Sequence, residues 1–127
     1  VAYTTLEKVK ARLQVDAGKI KVSEQELVPG QKEEVSVATI EQLITDIDAK
    51  INVELENKGI TASNYLNALS YIATLYVAYE VYGIVYPRVG ANEKPKTISD
   101  WKKDADDLLG KIGKGKFIGA QFGAWEP

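Results

Sequence analysis

VATIEQLITDIDAKINVELENKG, residues 37 to 59, sets Ile40, Ile44, Ile47, Ile51 and Leu55 at spacings of four, three, four and four. At about 3.6 residues per turn those five side chains share one face, the pattern of an amphipathic helix laid on a core. The spacing predicts a helix from about Val37 to Lys58. Gly59 stands just past it, in the C′ position where a left-handed backbone usually ends a helix. Asp46, Lys50 and Glu54 follow one another at intervals of four, a charge series that adds a little helical support on the solvent side.

The next segment, roughly Ser63 to Tyr86, holds 24 residues with one charge, Glu80, and six tyrosines: Tyr65, Tyr71, Tyr76, Tyr79, Tyr82 and Tyr86. Its length would allow a membrane span. The tyrosines, however, are scattered rather than belted at the ends, and Asn67, Ser70, Thr74 and Glu80 interrupt the apolar run, so no membrane contact is expected. Tyr65, Leu69, Ile72, Leu75, Tyr76, Tyr79, Tyr82 and Tyr86 fall on one broad arc, with Leu66, Val77, Val81 and Ile84 opposite. A helix apolar nearly all round is a central helix. Three partner helices cover it incompletely, so part of the arc, through Tyr79, Tyr82 and Tyr86, is expected to face another subunit.

Pro87 and the run Gly90 to Pro95 break the chain, and a last helix is expected from Thr97 or Ser99, where Ile98, Trp101, Ala105, Leu108 and Ile112 repeat at three and four. At the other end Thr4-x-x-Glu7 reads as a capping box opening a helix of about ten residues with Leu6, Val9 and Leu13 on one stripe. Residues 16 to 35 are polar and contain Pro29-Gly30, a type II turn pair, so a long loop or hairpin is expected between the first and second helices. The chain closes on FIGAQFGAWEP, residues 117 to 127. Its aromatic content suits an extended docking tail rather than a free polar one. The fold class is therefore all-α: a small four-helix domain, residues 1–116, followed by the tail.

The chain has 127 residues, 45% hydrophobic and 27% charged, enough for one core without a staple. It contains no His and no Cys, which removes the imidazole base, the thiol nucleophile and the usual zinc and redox ligands. No leader of charged-then-apolar type precedes Tyr3, and a retained export signal is not expected. The net charge is −2, but between Glu33 and Glu56 seven carboxylates oppose the single Lys50. Such a segment repels a phosphate backbone.

Three constellations carry residue types used in chemistry. Gly110 to Lys116 matches the Gly-x-x-x-x-Gly-Lys part of a phosphate loop, but Phe117 stands where Ser or Thr must bind magnesium, and a helix rather than a strand precedes it. Asp100, Asp104 and Asp107 make one exposed stripe, whereas a hard cation needs oxygens converging from several elements. Glu80 lacks a second catalytic group, and a hydrogen bond to a tyrosine hydroxyl is the expectation for it. No catalytic site, cofactor or metal is expected.

The order of features, from Thr4-Thr5-Leu6-Glu7-Lys8-Val9-Lys10-Ala11-Arg12-Leu13 through the polar loop, the Ile-rich helix with Ile47-Asp48-Ala49-Lys50-Ile51, the Ala- and Tyr-rich helix and the short final helix, resembles the head-tail connector, or adaptor, proteins of tailed bacteriophages. The resemblance runs to about Lys116. It implies a structural virion protein of the neck, assembled in the host cytoplasm, without catalysis. It implies also a dodecameric ring that binds the portal through its C-terminal region and a tail or stopper protein through its loops. On that reading Glu41, Asp48, Glu54 and Glu56 line a channel past which packaged DNA slides without sticking. Phe117, Phe122 and Trp125 then seat on the portal. The rival expectation is a cytoplasmic four-helix protein-binding module.

Overall fold

The computed structural model describes residues 2–16, 20–23, 34–86 and 94–112. In chain order these form α1 (Leu6–Asp16), β1 (Lys21–Ser23), β2 (Glu34–Ser36), α2 (Val37–Lys58), a 3-10 turn (Ala62–Tyr65), α3 (Leu66–Val85) and α4 (Lys96–Lys111). The all-α, four-helix class expected from the sequence is what the chain adopts. The tail, residues 117–127, lies outside the described residues.

α2 is bounded by its own side chains. Ser36 is extended at the N-cap, and its Oγ accepts from the Thr39 amide at 3.2 Å. At the far end Gly59 takes φ 68°, its amide donating to Glu56 O at 3.1 Å, while the Ile60 amide donates to Leu55 O at 2.9 Å. Those two bonds are the Schellman pair that satisfies the last carbonyls of a helix. Ile40, Ile44, Ile47, Ile51 and Leu55 are all buried, so the spaced isoleucines form the inner face.

α3 is the central helix. Ala68, Leu69, Ile72, Ala73, Thr74, Leu75, Val77, Ala78 and Val81 are buried, and successive members point to every side of the helix. Helices α1, α2 and α4 all pack against it. The span from Ala62 to Val85 is long and apolar enough to cross a membrane, and half of its 18-residue apolar stretch is buried inside the fold, as in the core helix of a globular domain. Its ends are less covered, with Leu66 54% and Ile84 48% exposed. α4 contributes Ile98, Trp101 and Ala105 to the same core.

Four local expectations are corrected. Thr4 does not cap α1: the helix starts one residue later, and Thr5 Oγ1 accepts from the Lys8 amide at 3.3 Å. Thr4 is instead buried, its Oγ1 2.6 Å from Thr74 Oγ1 on α3. Of the long loop or hairpin expected between α1 and α2, a hairpin with β1 and β2 as its arms is what the structure excludes: the two pair in parallel, Lys21 with Glu34 and Ser23 with Ser36. Ile20, just before β1, and Val35, in the middle of β2, are buried, and that burial holds the short strands on the helices. α3 begins at Leu66, three residues after Ser63, because Ala62–Tyr65 winds as a tighter turn. α4 begins at Lys96, with the amides of Ile98 and Ser99 both donating to Pro95 O at 3.0 Å. Proline there loses nothing, since a first-turn amide has no partner within the helix.

Candidate functional site

Helices α2, α3 and α4 do not close completely on one another. Between them runs an open groove of about 280 Å³ lined by Ile47, Lys50, Ile51, Glu54, Tyr76, Glu80, Lys102 and Leu109. Ile47 and Ile51 form a buried floor, and the two lysines and two glutamates stand around it. The Tyr76 hydroxyl donates to Asp106 Oδ1 on α4 at 2.5 Å. Burial of the ring, then the Asp106 carboxylate and the negative charge of Glu54, push the Tyr76 phenol well above its usual range. It therefore remains a protonated hydrogen-bond donor across the accessible pH range. Lys58 on α2 donates to Leu109 O at 2.9 Å and lies 3.9 Å from Glu54. Leu109 O is one of the last carbonyls of α4, which lack partners within the helix, so the ammonium both satisfies it and meets the negative end of the helix dipole.

The opposite edge of α2 holds the N-terminal segment. Asp48 Oδ1 accepts from the Tyr3 amide at 3.2 Å, and the Tyr3 hydroxyl donates to Asn52 Oδ1. Partial burial raises the Asp48 pKa above the ordinary carboxylate value, against the opposing pull of the Tyr3 amide and of the N-terminal charge.

The carboxylates expected to line a channel do not form one stripe. Glu41 and Glu56 are exposed and Asp48 half-buried, and the three share one flank of α2. Glu54 lies more than 100° round the helix at about 3.6 residues per turn, on the groove side, beside Lys58. The cause is the spacing itself: 41, 48 and 56 differ by near-integral turns, whereas 54 falls across the buried face. Tyr79, Tyr82 and Tyr86, by contrast, are brought together. All three are half-buried on one side of α3, with the Tyr82 and Tyr86 rings 4.8 Å apart at 44°. Lys94 Nζ sits 5.6 Å from the Tyr79 ring centre, within cation–π range. Phe117, Phe122 and Trp125 lie outside the described residues.

Glu80 does not take the expected tyrosine hydroxyl, because the phenol beside it on Tyr76 donates to Asp106 instead. Asp106 sits off the Asp100, Asp104 and Asp107 stripe, on the edge of α4 that meets α3. A wheel of α4 alone separates it from the stripe, but its partner could be named only once the two helices were placed together. Asp100 is held by Lys96 at 2.9 Å, and among the described residues no group of three or more acidic side chains is placed to hold a metal. No family model matches the chain, and no curated protein or solved structure gave a match to it.

Proposed function

We propose that the chain is a structural subunit of the neck of a tailed bacteriophage, one copy in a ring, dodecameric by resemblance, that joins the portal to the tail around the DNA passage. The observation that carries this reading is the central helix. α3 is buried all round its middle, yet presents the half-buried Tyr79, Tyr82 and Tyr86 stripe at one end, with Ile84 exposed on another side of the same turns. A large aromatic with a polar tip suits a surface that is covered on assembly and wet before it. The order of helices, quoted above for its resemblance to connector proteins, supports the same reading.

The channel wall is assigned to the flank of α2 that carries Glu41, Asp48 and Glu56. Like charge facing a phosphate backbone keeps duplex DNA from adhering. The C-terminal segment with Phe117, Phe122 and Trp125 supplies portal contacts. The test is co-sedimentation of the purified chain with assembled portal rings, comparing the full chain with one ending at Lys116. Binding that weakens on truncation supports the assignment; equal binding by the two overturns the role given to the tail.

A further inference from the structure

We propose that the outward face of α2 pairs with the same face of a second copy of this chain, the two helices antiparallel about a two-fold axis that passes beside residue 52. The contact does not rest on the neck reading.

Asp46, Lys50, Val53 and Asn57 follow one another on α2 at spacings of four, three and four, and all four are exposed. That spacing is one helical stripe. Val53, at 57%, is the most exposed of the large hydrophobic side chains among the described residues. One exposed valine is ordinary on a surface; the charges around it select the occupant. Lys50 stands four residues from Asp46 and four from Glu54, yet neither carboxylate closes on it. Asp46 Oδ1 accepts from Gln42 Nε2 at 2.9 Å, and Glu54 lies 3.9 Å from Lys58. Among the described residues Lys50 has no ion-pair partner.

The signs at 46, 50, 54 and 58 run minus, plus, minus, plus. An antiparallel copy turned about an axis at 52 sets 50 beside 54 and 46 beside 58, so all four cross-pairs join opposite charges. At a rise of about 1.5 Å per residue, the inner pairs sit about 3 Å to either side of the axis and the outer pairs about 9 Å. A parallel copy in register would oppose like to like at every one of these positions. Val53, one residue from the axis, meets Val53 of the second copy across it. Lys58 already donates to Leu109 O, so the inner pair of Lys50 with Glu54 carries the selectivity.

The face stays balanced beyond α2. Glu80 of α3 and Lys102 of α4 stand beside Lys50 and Glu54 around the groove and offset each other. The other flank of α2, with Glu41, Asp48 and Glu56, is acidic throughout and repels its own copy. A ring about a single axis contains no such two-fold, so the pair belongs to the free chain and parts on assembly into any ring.

One helix pair over about 18 Å falls short of the area of about 1,200 Å² that stable interfaces bury, so a weak dimer is expected, read by sedimentation equilibrium of the full chain from about 10 µM to about 1 mM. Lys50→Glu and Glu54→Lys change no core side chain. Each is expected to weaken association by about tenfold or more, because each brings like charges together on both sides of the axis. The two reversals combined in one chain restore opposite signs and are expected to return the parent value. Mixing the two single variants is expected to give a heterodimer, two glutamates of one chain against two lysines of the other. A monomer across the whole range, a dimer indifferent to both reversals, or single losses that the double reversal does not restore, overturns the proposal. A larger oligomer that the reversals leave unchanged overturns it equally.

Discussion

The Thr4 and Thr74 hydroxyls form a directed chain whose perturbation has a worked order of costs. Thr74 Oγ1 donates to Ser70 O at 2.7 Å, which uses its one proton, so in the 2.6 Å contact between the two threonines Thr4 is the donor. Both residues are buried, Thr4 1% and Thr74 6% exposed. Thr4→Val removes a donor and leaves Thr74 still bonded to Ser70 O, at a cost of about 0.5–1.5 kcal/mol for one net hydrogen bond. Thr74→Val removes the acceptor and strands the Thr4 hydroxyl away from water, costing about 1–3 kcal/mol. The double variant replaces both by side chains of the same shape and strands nothing, so it is expected to be less destabilised than Thr74→Val alone. With a urea slope of about 1–3 kcal/mol per M, Thr74→Val should lower the unfolding midpoint by roughly 1 M, and the double variant should recover part of that shift. Urea unfolding followed by far-UV circular dichroism gives all four midpoints and hence the coupling energy. A double variant at the sum of the single costs, or a larger loss for Thr4→Val than for Thr74→Val, would refute the assigned donor direction.

Three further outcomes follow from the same structure. Ile72 is fully buried against the surrounding helices, and Ile72→Ala should cost about 2–5 kcal/mol in denaturant unfolding, with the spread set by how far α3 can settle into the space. At Gly59 a Cβ would meet no atom within 4 Å, so Gly59→Ala carries only the strain of φ 68°, about 1–2 kcal/mol, and a variant as stable as the parent would mean that the helix end is not left-handed. Asp48 has a folded pKa raised above its ordinary 3.8, so the folded state binds its proton more tightly than the unfolded state. The linked stability is therefore full below pH 3.8 and is lost as pH rises through the raised value. Asp48→Asn, which can still accept from the Tyr3 amide, should stabilise the protein at pH 7, with the gain shrinking as pH falls toward 3.8, measured by thermal midpoints across that range.

The helices were readable because their signals are local. The Ile40 to Leu55 face and Gly59 repeat or punctuate at helical spacing, and packing against α3 then uses the face the period had already chosen. The central place of α3 was readable in the same way, from apolar residues on all sides. The misread Thr4 shows where local signals stop. Threonine followed three residues later by glutamate satisfies the capping pattern, yet Thr5 also stands ready to cap, and what drew Thr4 inward was the hydroxyl of Thr74, 70 residues away. The parallel pairing of β1 with β2 was invisible for a related reason: three-residue strands carry almost no period, and their pairing joins residues 13 apart in the sequence, Lys21 with Glu34. At the groove, Tyr76, Glu54, Glu80 and Asp106 come from three helices whose relative rotation no single periodicity encodes. Even the split of Glu54 from Glu41, Asp48 and Glu56 was a matter of counting residues round α2, and only the position of the core shows which flank faces outward.

The proposal that this chain is a neck subunit is tested most directly by quantitative mass spectrometry of virus particles purified from its source, comparing its copy number with that of the portal subunit. The account predicts a ratio near unity, about one chain for each portal subunit in a matching ring with closed symmetry. Its absence from the particles would contradict the neck reading and favour a helical binding module that acts in the cytoplasm.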